Sequence, residues 1–165
     1  MRDISVLCDA RGSGKTKTLM DMSTLTKKNI TGILTPNRSG RRHLYSISSK
    51  TWYPLEVEKN EGKEKTVVVG RYLFLENAFT HAYSSFKDQW DINTELVIID
   101  ELGLLELRAK GFYSLVMDLL EKKPFSLVPL LLVIREHKLE EMIAFFKLPV
   151  SEIYNLQSLE KSGIW

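Results

Sequence analysis

Lys15 and Thr16 close the run Asp9-Ala-Arg-Gly-Ser-Gly-Lys-Thr16, directly after two closely spaced glycines. Glycines at this spacing let a backbone wrap tightly around phosphate oxygens and aim its N–H groups at them. A helix opening at the same point adds the partial positive charge of its N-terminus. In the pattern G-x-x-x-x-G-K-S/T, the lysine bridges the β- and γ-phosphates of a nucleoside triphosphate, and the hydroxyl residue reaches Mg²⁺. Asp9, Ala10, Arg11, Gly12, Ser13, Gly14, Lys15 and Thr16, with Lys17 just beyond, are therefore the expected nucleotide-binding segment, with Mg²⁺ as cofactor. Asp9 stands where the pattern has its first glycine. A carboxylate there is unfavourable beside a triphosphate unless it points away or pairs, for example with Arg11.

A second pair of groups complements the first. Val97-Ile-Ile-Asp100-Glu101 is an apolar strand ending in adjacent carboxylates. Asp100 is placed to anchor the metal together with Thr16, and Glu101 to orient and activate an attacking water. Arg135 follows another apolar run and should emerge at the same sheet edge, where a cation neutralises developing phosphoryl charge. Arg38, Arg41 and Arg42 read as a solvated hairpin more readily than as phosphate ligands. His43, His81 and His137 show no metal-like spacing with Cys8 or with each other. Cys8 reads as a small buried hydrophobe on the first strand.

The elements that must position these groups alternate between strand and helix patterns. Ile4 to Cys8 is β-type, and a helix follows to about Lys28 with Leu19, Met20 and Leu25 on its apolar side. Ile30 to Thr35 is a strand stopped by Pro36. His43–Ile47, Trp52–Val57 and Thr66–Leu75 are β-type runs, with the charged turn Glu58–Lys65 between the last two. Leu75, Ala78, Phe79, Ala82, Tyr83 and Phe86 share one helix face. Leu96–Ile99 and Leu127–Ile134 read as strands buried on both sides. Phe112 to Leu120 is a helix ended by Pro124, Leu139–Phe146 a short helix, and Glu152–Leu156 a last strand. The expected fold is α/β, a mostly parallel central sheet with an antiparallel hairpin insertion around 43–75.

Composition narrows the classes. The 165 residues suit one domain, residues 1–165. A net charge of +2 argues against a protein living on nucleic-acid phosphates. With one cysteine no internal disulfide forms, and no apolar run approaches the ~20 residues of a membrane helix. The start of the chain shows no signal-peptide pattern, so the expected setting is cytoplasmic, as a monomer; a protein partner is not readable from the residues.

On these blocks the chain resembles the small P-loop nucleoside-triphosphatases, sometimes labelled cancer-related nucleoside-triphosphatases. The carrying segments are Gly12-Ser-Gly-Lys-Thr16, Gly32-Ile-Leu-Thr35, Gly70-Arg-Tyr72 and, most specifically, Ile98-Ile-Asp-Glu-Leu-Gly-Leu-Leu-Glu-Leu107 with Phe112 beyond. The resemblance implies a three-layer αβα, RecA-like fold and Mg²⁺-dependent hydrolysis of several triphosphates, ATP and GTP among them, with loose base selectivity and slow turnover. It implies Lys15 and Thr16 as phosphate and metal residues, Asp100 as the metal-side acid and Glu101 as the base. Glu106 matches a second acidic position, equally suited to holding the following helix. The chain departs from the family pattern at Asp9, at Leu104 and at Ile134-Arg135. A nucleotide-dependent switch module and a small-molecule kinase remain alternatives that use the same loop.

Overall fold

A computed structural model describes residues 3–59 and 64–165. The strands are β1 (Ile4–Leu7), β2 (Ile30–Leu34), β3 (Asn37–Arg38), β4 (Arg41–Ser46), β5 (Thr51–Pro54), β6 (Glu56–Val57), β7 (Thr66–Val69), β8 (Tyr72–Leu75), β9 (Leu96–Leu102), β10 (Leu130–Ile134) and β11 (Val150–Tyr154). The helices are α1 (Lys15–Leu25), α2 (Glu76–Asp88), α3 (Leu104–Leu107), α4 (Tyr113–Glu121), α5 (Leu139–Phe146) and α6 (Leu156–Lys161).

The main sheet runs β11-β1-β10-β9-β2-β4-β3, with β5 paired to β4. Every neighbour from β11 to β2 is parallel, and β4 turns antiparallel on β2. The apolar runs of β9 and β10 are buried on both faces, as a parallel sheet between helices requires. Alternate residues divide between the layers. Val97, Ile99, Leu130 and Leu132 pack with Phe79, Leu115 and Met142 of α2, α4 and α5. Leu96, Ile98, Leu131 and Val133 pack with Leu19 of α1 and Leu159 of α6. This is the expected three-layer architecture.

Several boundaries differ from expectation. The insertion contributes β3, β4 and β5 to the rim of the main sheet and forms a separate antiparallel sheet, β6-β8-β7. The run 66–75 is not one strand: it folds back at Gly70-Arg71 into a hairpin. Residues 60–63 of the charged turn lie outside the described residues. α1 stops at Leu25, which is 82% exposed rather than on the apolar side, and Lys27 and Lys28 lie beyond it. The apolar run 127–134 opens with a 3₁₀ turn through Leu127 and becomes strand only at Leu130, because Pro129 has no N–H for the ladder. Cys8 sits just past β1, half-buried, with its N–H donating to the Tyr154 carbonyl at 2.8 Å. The short helices α3 and α6 carry no strong apolar period and were not expected.

Because the core strands run parallel, their C-terminal ends open on one edge. The Cys8–Gly14 loop, Thr35 and Arg135 leave the sheet there, and Glu101 lies next to the last residue of β9, with β10 lying between β1 and β9.

Candidate functional site

Gly14 caps α1 at φ +93°, a left-handed conformation that glycine adopts without strain. No side chain caps this end, so the first N–H groups of the helix have no acceptor within it. Ser13 N–H donates back to the Ala10 carbonyl at 3.2 Å and closes the loop. The Lys15 ammonium spans the loop, donating to the carbonyls of Asp9 and Ala10 at 2.8 Å each and lying 3.4 Å from Ser13 Oγ. The Lys17 side chain turns instead to Asp21, 3.0 Å away on the exposed helix face.

Asp9 does point away from the loop. Its Oδ2 accepts the Leu156 N–H at 3.0 Å, at the start of α6, and its Oδ1 accepts the Ala10 N–H at 2.7 Å. These backbone bonds, Leu156 foremost, hold its carboxyl below the usual range. The residue that replaces the first glycine thus ties the loop to α6. Arg11 does not pair with it; its Nη2 donates to the Tyr72 hydroxyl at 3.0 Å.

Asp100 is completely buried. Its Oδ2 accepts from Thr16 Oγ1 at 2.7 Å, from Thr35 N–H at 3.0 Å and from Thr35 Oγ1 at 2.9 Å. Its Oδ1 has no partner among the described residues. Burial, and then the charge of Glu101, push its pKa up against these three hydrogen bonds. A hydroxyl beside a carboxylate with a spare oxygen is the donor chemistry a hard divalent cation and its waters accept. Among the described residues no group of three His, Cys, Asp or Glu side chains gathers as a metal cage.

Glu101 sits at φ +61°, an uncommon conformation for a residue with a side chain and one that functional sites often hold. Its Oε2 forms an ion pair with Arg42 Nη1 and lies 3.6 Å from Arg135 Nη2. Arg42 is therefore not part of a solvated hairpin: β4 carries it inward, where burial pulls against its charge and the Glu101 carboxylate raises its pKa above the usual value. Its neighbours stay outside, with Arg38 5.0 Å from the Trp52 ring centroid and Arg41 2.8 Å from Glu58. Glu106 is buried near enough to Arg135 to feel its charge, but its oxygens are taken up by backbone donors. Its Oε2 accepts the Gly103 N–H at 2.7 Å and its Oε1 the Phe112 N–H at 2.9 Å.

The structure thus brings together Lys15, Thr16, Asp100, Glu101 and Arg135. Sequence reasoning did not single out Thr35 or Tyr72 as members. Thr35 follows β2 at the same edge, which was a usable signal, and both residues close segments that carry the family resemblance, Gly32–Thr35 and Gly70–Tyr72, although the resemblance gave neither a role. A cavity of about 490 Å³ lies elsewhere, between α2 and the start of α4, lined by Phe79, Tyr83, Gly111 and Phe112. Among the described residues no helix is long and apolar enough to cross a membrane.

A family described as NTPase matches residues 6–163. The solved structure of THEP1 from the hyperthermophile Aquifex aeolicus is similar over 94% of this chain and 90% of that one, with a TM-score of 0.62 at 19% identity. At that identity the likeness concerns the fold. No curated protein matches the chain.

Proposed function

The chain belongs to the NTPase family, and from that premise we propose that it hydrolyses nucleoside 5′-triphosphates to diphosphate and phosphate with Mg²⁺. The observation that carries this reading is the 2.7 Å hydrogen bond from Thr16 to Asp100, residues 84 apart in sequence, with the other Asp100 oxygen left unpartnered. Thr16 and Asp100 would hold Mg²⁺, with Asp100 acting through its free oxygen. Bound there, the ion offsets charge on the phosphate oxygens.

In this reading the loop amides from Gly12 to Lys17 cradle the phosphates, and Lys15 exchanges its two carbonyls for β- and γ-oxygens. Glu101 accepts a proton from water as the water oxygen bonds to the γ-phosphorus. The bond to the bridging oxygen breaks, and that oxygen leaves on the diphosphate. Arg135 faces the charge that grows on the phosphoryl oxygens. The gathered groups all suit phosphate, which supports loose base selectivity among ATP, GTP and other triphosphates. Glu101 is shared with two arginines, which supports turnover below the ~1–10³ s⁻¹ common for enzymes. Residues 1–165 act as one domain.

Phosphate release from ATP, GTP, CTP and UTP, with and without Mg²⁺, tests the reading. Release should require Mg²⁺ and vanish in Lys15→Ala. Glu101→Gln should keep nucleotide binding and lose ~10²–10⁴-fold in turnover. Wild-type rates in Glu101→Gln would remove the base assignment.

A further inference from the structure

Tyr72 opens β8, the central strand of the small sheet, and three arginines from three separate segments meet on it. Arg11 of the loop donates to its hydroxyl at 3.0 Å, and Arg71 of the hairpin turn donates to the same oxygen at 3.1 Å. The guanidinium carbons of Arg42 and Arg71 lie 5.6 Å and 5.2 Å from its ring centroid. The shared oxygen places two like charges within about 6 Å of each other. Among the described residues no carboxylate pairs with Arg11 or Arg71. Arg42 and Arg135 have Glu101 as counter-ion; the first pair has only a neutral phenol, itself held below its usual pKa chiefly by the Arg71 hydrogen bond. Two planar forks with most of their N–H groups directed at no fixed acceptor form an incomplete anion site.

The cluster also has a direction. It runs from the loop at Arg11, through Tyr72 and Arg42, to Glu101 beside Asp100. The loop amides and α1 account for the phosphates nearest the helix. A phosphate extending beyond those toward the end of β9 would meet this cluster.

We propose that Arg71 and Arg11, gathered by Tyr72, form a subsite for the terminal phosphate of a nucleoside triphosphate, so that the β7–β8 hairpin reads triphosphate against diphosphate. This inference rests on the nucleotide reading given above. Arg71 supplies the discrimination, because it lies outside the loop and meets only a phosphate that extends past it. Each arginine moves from the phenol to a phosphate oxygen, a stronger acceptor.

The test is equilibrium titration, with Mg²⁺, of a non-hydrolysable ATP analogue and of ADP into wild type, Arg71→Ala, Arg71→Gln and Lys15→Ala. Both Arg71 variants should lose about ten-fold in affinity for the analogue and less than two-fold for ADP, as expected for one charge-assisted hydrogen bond. Arg11→Ala combined with Arg71→Ala should widen that gap. Equal losses for both ligands, or no loss for either, would overturn the subsite. A wild type that binds neither nucleotide, or a Lys15→Ala that binds as wild type does, would instead overturn the nucleotide reading beneath it.

Discussion

Asp100 and Glu106 stand six positions apart, both buried, both with pKa values raised first by desolvation. Their surroundings differ in one respect. Glu106 spends each oxygen on a backbone N–H, at Gly103 and Phe112, and so fastens the turn after β9 to the start of α4. Asp100 receives three hydrogen bonds on one oxygen and none on the other. A buried acid whose acceptors are all used holds the fold. A buried acid with an acceptor to spare costs stability and is kept for what it can bind.

The largest effect that would break this contrast concerns Asp100. Asp100→Asn keeps an oxygen for the two threonines, so the fold should hold or gain stability as a desolvated charge is removed. Turnover should fall about 10³-fold. Phosphate release and a urea midpoint measured together check both halves. Glu106→Ala should do the reverse. It leaves two backbone N–H groups without an acceptor and lowers stability by about 3 kcal/mol at pH 6, while turnover per folded molecule changes little. A collapse of turnover without loss of stability would place Glu106 among the reacting groups.

The pH dependence sharpens the same point. Burial pushes the Glu106 pKa to about 7 from an ordinary 4.5, against the pull of its backbone donors, Gly103 and Phe112 first, and of the Arg135 charge. The folded state therefore binds more protons than the unfolded one between those values. The contribution is fully present below pH 4.5, declines as pH rises toward about 7 and is level above it, by about 3 kcal/mol in all. Urea midpoints of wild type minus those of Glu106→Gln across pH 4–8 isolate this change, and a flat difference contradicts it. A smaller effect is expected at Gly111, which sits at φ +62° with a Cβ position in collision with Glu106 Oε1. Gly111→Ala should cost about 1–2 kcal/mol. In the Glu106→Ala background the cost should shrink, because the collision partner is gone.

Much of this contrast was legible in the residues. The loop from Asp9 to Thr16 and the apolar strand ending at Asp100-Glu101 carry period and chemistry in short, contiguous runs. The parallel sheet then forces both onto one edge. Asp9 was legible as a departure, but its resolution was not, since its partner Leu156 lies 147 positions on, at a helix too short to show a period. Arg42 looked solvated because charge runs usually are. Only the inward turn of β4 shows that it meets Glu101. The hairpin at Gly70-Arg71 was hidden inside a continuous β-type run, and with it the convergence of Arg11 and Arg71 on Tyr72. Contacts made by residues distant in sequence, through polar side chains without periodicity, leave no local trace.

The measurement closest to the central claim is a Mg²⁺ titration of phosphate release from ATP in wild type and Asp100→Asn, both shown to be folded. Saturable Mg²⁺-dependent release is expected in wild type, with a loss of about 10³-fold in the variant at every Mg²⁺ concentration. Release that is independent of Mg²⁺, or unchanged in Asp100→Asn, would contradict it.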